Sequence, residues 1–137
     1  MVNGSRMLIS EFARCTGLSS DTVRFYVRLG LLEPQTGSKG GRNPYQVFTA
    51  EHVEIARIIR MAQSMGFSLK EISALGEEHR SGKMTRERSA EIMTRQVARL
   101  EQQAAHLNAM TAYLRAKVDW LRGDDGMPEP RFSDYAG

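Results

Sequence analysis

The sequence predicts an all-α, mainly helical fold: a small helix-turn-helix domain with a β-hairpin, then one long helix built to pair with another. Three observations carry that reading. Helix starts and stops follow one another at short intervals through residues 9–34 and again through 49–78. Glycine and proline crowd the stretch QTGSKGGRNPYQVF (35–48), just ahead of an alternating apolar run. Neither residue occurs from Thr85 to Arg122.

Taken in order, Ser10 is a candidate cap for a first helix from Glu11 to Cys15, broken at Thr16-Gly17. Ser19 suits the cap of a second helix, Ser20 to about Leu29, with Asp21 at the positive end of the helix dipole and Gly30 as the stop. Residues 35–48 read as a loop or small β-hairpin. Thr49 opens a third helix through Met65, to which Val53, Ile55, Ala56, Ile58, Ile59 and Ala62 give a broad apolar face. The pattern SLKE (68–71) is a capping box for a fourth helix to about Glu78, followed by a polar link over 79–84.

The long helix carries Met93, Val97, Leu100, Ala104, Leu107, Thr111, Leu114, Val118 and Leu121 in alternating steps of four and three. That is a heptad seam. At about 1.5 Å per residue the helix extends roughly 55 Å, further than the small domain before it could cover. The seam needs a partner: a coiled coil is expected, and folding back on its own chain is the alternative. The chain divides into 7–80, 85–122 and a flexible tail over 123–137. The tail reads as extended, with Met127, Phe132 and Tyr135 available to dock on a neighbouring surface.

At 137 residues, with 26% charged and 41% apolar residues, the chain is about one domain long and not disordered by composition. No stretch approaches the roughly 20 apolar residues that span a bilayer, and no apolar run follows the polar opening MVNGSR. The single cysteine, Cys15, excludes an intramolecular disulfide, fits a reducing cytoplasm and reads as a small buried thiol. The net charge of +3 is unevenly spread: residues 1–50 hold six basic against three acidic side chains, while the rest of the chain balances. The excess points to a polyanion partner for the amino-terminal part.

Ala13, small enough for close helix approach, is followed four residues later by Gly17 in the turn and six further on by Val23. With Ile9, Phe12, Leu18 and Leu31 as a core, this is the spacing of a helix-turn-helix, although a generic αα-hairpin fits it too. In a helix-turn-helix the second helix enters the major groove and its first residues meet base edges. Ser19, Ser20 and Thr22 are short donors and acceptors; Arg24 and Arg28 can reach guanine edges or phosphates; Tyr26 offers a hydroxyl to a phosphate. A merely solvated face is the plain alternative.

The segments ISEFARCTGLSSDTVRFYVRLGLLEP and YQVFTAEHVEIARIIRMAQSMGFSLKEISAL, separated by a Gly-rich wing and followed by the long helix, resemble the MerR family of bacterial transcriptional regulators over about residues 7–122. The resemblance implies winged-helix homodimers joined by an antiparallel coiled coil. Their partners would be a double-stranded promoter dyad and, indirectly, RNA polymerase, which engages an over-long promoter spacer once the DNA is distorted. It implies a cytoplasmic, nucleoid-associated protein. Residue by residue it puts Thr22, Arg24 and Tyr26 at the DNA, with Arg42 and Tyr45 from the wing. Two positions depart from the family pattern. Phe25 stands where many members have a tyrosine, and Pro44-Tyr45-Gln46 stands where the wing usually reads Gly-Tyr-Arg. Gln46 can still bond a phosphate but brings no charge, which Lys39 and Arg42 would supply.

Metal-sensing relatives place cysteines at the start of the long helix and just after it, and here those stretches are KMTR and RGDDGMPEP. No metal and no cofactor are therefore expected. His52, His79 and His106 lack ligand-type neighbours at a convincing spacing. No Ser/His/Asp set, phosphate loop or zinc-protease motif gives catalysis a footing. The residues after the long helix are too few for the ligand-binding domain of drug-sensing relatives, so any small effector would bind around the coil, the fourth helix and a partner's DNA-binding domain. Two rivals remain. One is an excisionase-like protein that bends DNA without sensing anything; the other is a coiled-coil adaptor whose helix-turn-helix docks on protein.

Overall fold

In the computed structural model, which describes residues 6–37, 45–123 and 126–136, the fold begins with a pairing that the spacing of caps does not reveal. Met7 exchanges both backbone hydrogen bonds with Phe48, each 2.8 Å long, and both side chains are fully buried. Phe48 in turn stacks on Phe12 with ring centroids 4.4 Å apart. Met7 is thus a core residue.

Helix α1 (Ile9–Thr16) follows at once. Leu8 holds its N-cap position without a side-chain hydrogen bond, and Ser10, the expected cap, lies inside the helix, which starts two residues earlier than Glu11. Gly17 closes α1 at φ +74°, the left-handed conformation the turn requires, and its N–H bonds the Ala13 carbonyl. Helix α2 (Ser20–Arg28) is capped as its sequence indicates: Ser19 Oγ accepts the Thr22 N–H at 3.0 Å. Val23 and Tyr26, three residues apart, form its buried face.

Strands β1 (Gln35–Gly37) and β2 (Tyr45–Val47) form an antiparallel pair, with Gln35 opposite Val47 and Gly37 opposite Tyr45. Helix α3 (Ala50–Ser64) starts at Thr49, whose N–H is accepted by His52 Nδ1 at 2.9 Å. His52 stands where a capping box commonly has Glu or Gln. Its Nε2 lies 3.1 Å from the Glu33 carbonyl and its ring meets Phe48 edge-on, so this histidine is a brace of the fold. The broad apolar face of α3 divides in two: Ala56 and Ile59 enter the core, while Ile55, Ile58, Met61 and Met65 stay exposed. Helix α4 (Leu69–Arg80) has the reciprocal Ser68–Glu71 capping box and buries Ile72. One core joins Met7, Phe12, Val23, Tyr26, Leu32, Phe48, Ala56, Ile59 and Ile72.

The chain forms two compact units, Met1–Arg86 and Glu87–Gly137. The second is built on helix α5 (Arg86–Arg122), 37 residues long, in which the one buried side chain is Gln96. Every seam residue, Met93, Val97, Leu100, Ala104, Leu107, Thr111, Leu114, Val118 and Leu121, is exposed. The polar one, Thr111, donates its hydroxyl to the Leu107 carbonyl at 2.9 Å and so brings no unpaired donor to the seam.

Over residues 126–136 the tail is not extended as expected. Residues 126–136 turn back along α5. Trp120 Nε1 donates to the Met127 carbonyl at 2.8 Å, and Phe132 and Tyr135 meet the Tyr113 ring at centroid distances of 5.3 and 6.1 Å. Lys117 pairs with Glu129, a hydrogen bond that holds the ammonium pKa above its ordinary value. Aromatic contact with a helix of the same chain outweighs extension. Tyr113, Lys117 and Trp120, spaced by four and three, make a row beside the seam, so the folded tail leaves the seam open.

Candidate nucleic-acid interface

Helix α2 owes its orientation to two buried anchors, and its outward face follows from them by helical geometry. With Val23 and Tyr26 turned inward, Arg24, Phe25 and Arg28 must face solvent, and all three are exposed. At the helix start Ser19 and Thr22 bond each other, Ser19 Oγ donating to Thr22 Oγ1 at 2.9 Å, and Ser20 is half-buried beside them. Arg24 Nη1 is 3.0 Å from Asp21 Oδ1, an exposed pair of the kind worth about 0–1 kcal/mol and readily exchanged for another anion. Arg28 lies over the Phe25 ring at 5.6 Å, a cation–π contact that leaves the guanidinium at the surface. Phe25, the departure from the usual tyrosine, therefore shelves an arginine.

Tyr26 is corrected from its expected place. Its side chain is only 3% exposed and its hydroxyl donates to Gln63 Oε1 at 2.9 Å. The reason is position: residue 26 shares the inner face with Val23, whereas residue 25 points out. Burial raises the phenol pKa above its ordinary value, with the nearby Arg60 guanidinium pulling the other way.

On the hairpin, Tyr45 and Gln46 are half-buried. The Tyr45 ring lies across Gly37, where an added Cβ would come within 2.9 Å of it. Glycine at 37 thus lets the ring fold over the strand pair. Lys39 and Arg42 lie outside the described residues. Cys15 is also corrected: it is exposed, beside Thr16, Arg57 and Arg60, because Phe12 and Ala13 take the inner face of α1.

Residues that sequence reasoning missed hold this interface from behind. Arg60 Nη1 donates to the Thr16 carbonyl at 2.7 Å, Gln63 takes the Tyr26 hydroxyl, and Ser73 Oγ donates to the Leu29 carbonyl at 3.1 Å. Each bond joins residues 37 to 44 apart in sequence, so no local spacing announces it.

An exposed, basic, N-capped second helix on a helix-turn-helix, next to a two-stranded wing, is equipped to bind DNA phosphates and base edges. Comparison with known proteins agrees. Residues 7–78 match the MerR HTH family regulatory protein model, and residues 53–117 match a second model described as MerR, DNA binding. The HTH-type transcriptional regulator CueR of Escherichia coli O6:H1 is 30% identical over 135 residues, spanning 96% of this chain and 95% of that one. Among solved structures, a MerR-family transcriptional regulator from Bacillus cereus superposes with TM-score 0.72 at 20% identity, covering 96% of this chain and 93% of the other. HiNmlR, a MerR-family regulator lacking the sensor domain and solved bound to promoter DNA, does so with TM-score 0.65 at 22% identity, covering 92% and 99%. The chain belongs to the MerR family of helix-turn-helix regulatory proteins.

Proposed function

We propose that this DNA-binding transcriptional regulator acts as a homodimer on a promoter dyad. The α5 seams of two copies pair antiparallel and carry two α2 helices to successive major grooves. Ser19, Ser20, Thr22, Arg24 and Arg28 meet the DNA from α2, and Tyr45 and Gln46, with Lys39 and Arg42, grip flanking phosphates from the wing. The dimer distorts an over-long spacer, so its effect on RNA polymerase passes through the DNA. It works in the cytoplasm on the nucleoid, without a catalytic step, under a small effector whose identity remains to be found.

The observation that carries this reading is the pairing of an exposed Arg24–Phe25–Arg28 face with a nine-residue exposed seam on the same chain. One binds an anion and the other supplies the second copy a dyad needs. Footprinting of the purified protein on DNA upstream of its own and neighbouring genes tests it. Protection of a dyad between the two promoter elements is expected, with affinity falling steeply from low to physiological salt as counterions are released. Binding that ignores salt would refute it in favour of protein docking.

A further inference from the structure

Among the bonds that tie α3 and α4 to the helix-turn-helix, two grip backbone at helix ends: Arg60 at the Thr16 carbonyl and Ser73 at the Leu29 carbonyl. A third is different. Gln63 holds a side chain in the body of α2, the hydroxyl of Tyr26, at 2.9 Å. Tyr26 lies between Arg24 and Arg28 in sequence and on the opposite face, so its hydroxyl is the lever arm of the helix.

The geometry of that lever sets what it controls. A side-chain tip about 6 Å from a helix axis moves roughly 1 Å when the helix rolls by ~10°. Donor–acceptor distances in good hydrogen bonds vary by only about 0.5 Å. A small roll of α2 is therefore enough to spoil base contacts by Arg24 and Arg28, while looser contacts to phosphate survive. Burial of Val23 and the Tyr26 ring sets which face of α2 turns inward, and the hydroxyl bond, at the longest radius, sets the last few degrees of roll.

We propose that Gln63 is a positioning residue for DNA recognition: through the Tyr26 hydroxyl it fixes the roll of α2, and so the aim of Arg24 and Arg28, without touching DNA itself. This rests on the DNA-binding function argued above. It places sequence discrimination partly on α3, in a residue behind the recognition helix and away from its outward face.

The test uses the full chain as parent, Gln63→Ala, Gln63→Glu, Tyr26→Phe and the double variant Gln63→Ala/Tyr26→Phe. Two duplexes serve as probes: one that the parent enriches from a random-sequence pool, and a scrambled duplex of equal composition. Gln63→Ala and Tyr26→Phe are each expected to lower affinity for the enriched duplex about tenfold, the low end for a lost base contact. Affinity for the scrambled duplex should stay within about twofold, because phosphate contacts tolerate the roll. The double variant should be no worse than either single one, and Gln63→Glu, which keeps an acceptor, should restore binding.

A purely structural role would lower the melting temperature and the active fraction, affecting both duplexes alike. An unchanged ratio of the two affinities in Gln63→Ala therefore overturns the proposal, as does failure of Gln63→Glu to rescue. A loss in Gln63→Ala that Tyr26→Phe does not reproduce would put Gln63 on the DNA directly and also overturn it. If the parent enriches no duplex at all, the DNA-binding function falls first and the inference with it.

Discussion

Residues up to Arg86 bury Phe12, Val23, Leu32 and Phe48 among themselves, whereas α5, with 37 residues, buries a single glutamine. The first unit has a core of its own and satisfies its helix ends with Ser19, His52 and the Ser68–Glu71 box. The second presents seven large apolar seam residues to solvent, 40% exposed or more. At 40–66% exposure, burying the rest of each is worth roughly half of the about 1.5–3 kcal/mol for a full side chain, on the order of 5–10 kcal/mol per chain. Two chains together contribute about twice that, against the roughly 4–15 kcal/mol that association costs. One unit has a core of its own; the other has an apolar seam that the proposed pairing with a second copy would cover. On that proposal, reading the DNA and pairing the copies are separable, and the separation can be broken from either side.

The largest effect is expected at the seam. Leu107→Asp puts a charge at its middle, where burial without a counter-ion is prohibitive. Sedimentation should show monomers, and affinity for the dyad should fall about 10²–10⁴-fold as the tethered second half-site is lost. The amino-terminal unit should keep its fold. A mutant that still sediments as a dimer would show the seam to lie elsewhere on α5.

Phe48→Ala attacks the other side. Phe48 is fully buried between Phe12, His52 and the Met7 pairing, so truncation leaves a cavity and should cost about 3–5 kcal/mol. Denaturant unfolding should show the amino-terminal unit melting early while the chain still dimerises. Loss of the dimer together with the core would mean that the two units are not independent.

Arg24→Ala sharpens the comparison within the first unit. It removes an exposed side chain whose pair is the exposed Asp21, so stability should hardly change. Affinity for the specific site should fall by about 1–3 kcal/mol if Arg24 reads a base. Equal binding by variant and parent would remove it from the interface.

The same contrast explains how much was legible in the sequence. The caps at Ser19 and Ser68, the turn at Gly17 and the unbroken α5 helix are local patterns, and the structure has all of them. The burial of Met7 and Tyr26 and the exposure of Cys15 were not legible, because each depends on which face of a short element meets another element. The Tyr26–Gln63 bond needs the packing of α2 on α3, which a run of nine residues cannot specify. The returning tail was missed because glycine and proline suggest extension, and only the aromatic row of Tyr113 and Trp120 offered a hint.

Tyr26 gives the smallest of these tests. Burial raises its phenol above the ordinary value of 10.0, so the folded chain gives up that proton at a higher pH than the unfolded chain. A group shifted in this sense contributes stability that is fully present below pH 10 and drains away as pH rises through the folded value. Tyr26→Phe has no proton to lose and should lack that part of the alkaline decline. The stability gap between parent and variant should therefore be constant from pH 7 to 9 and shrink above 10, as read by thermal unfolding of the amino-terminal unit. A gap that holds through pH 11 would mean that the Tyr26 hydroxyl meets solvent in the folded chain, free of Gln63. The same result would release α2 from its lever, so a titration far from any DNA bears directly on how the protein aims its arginines.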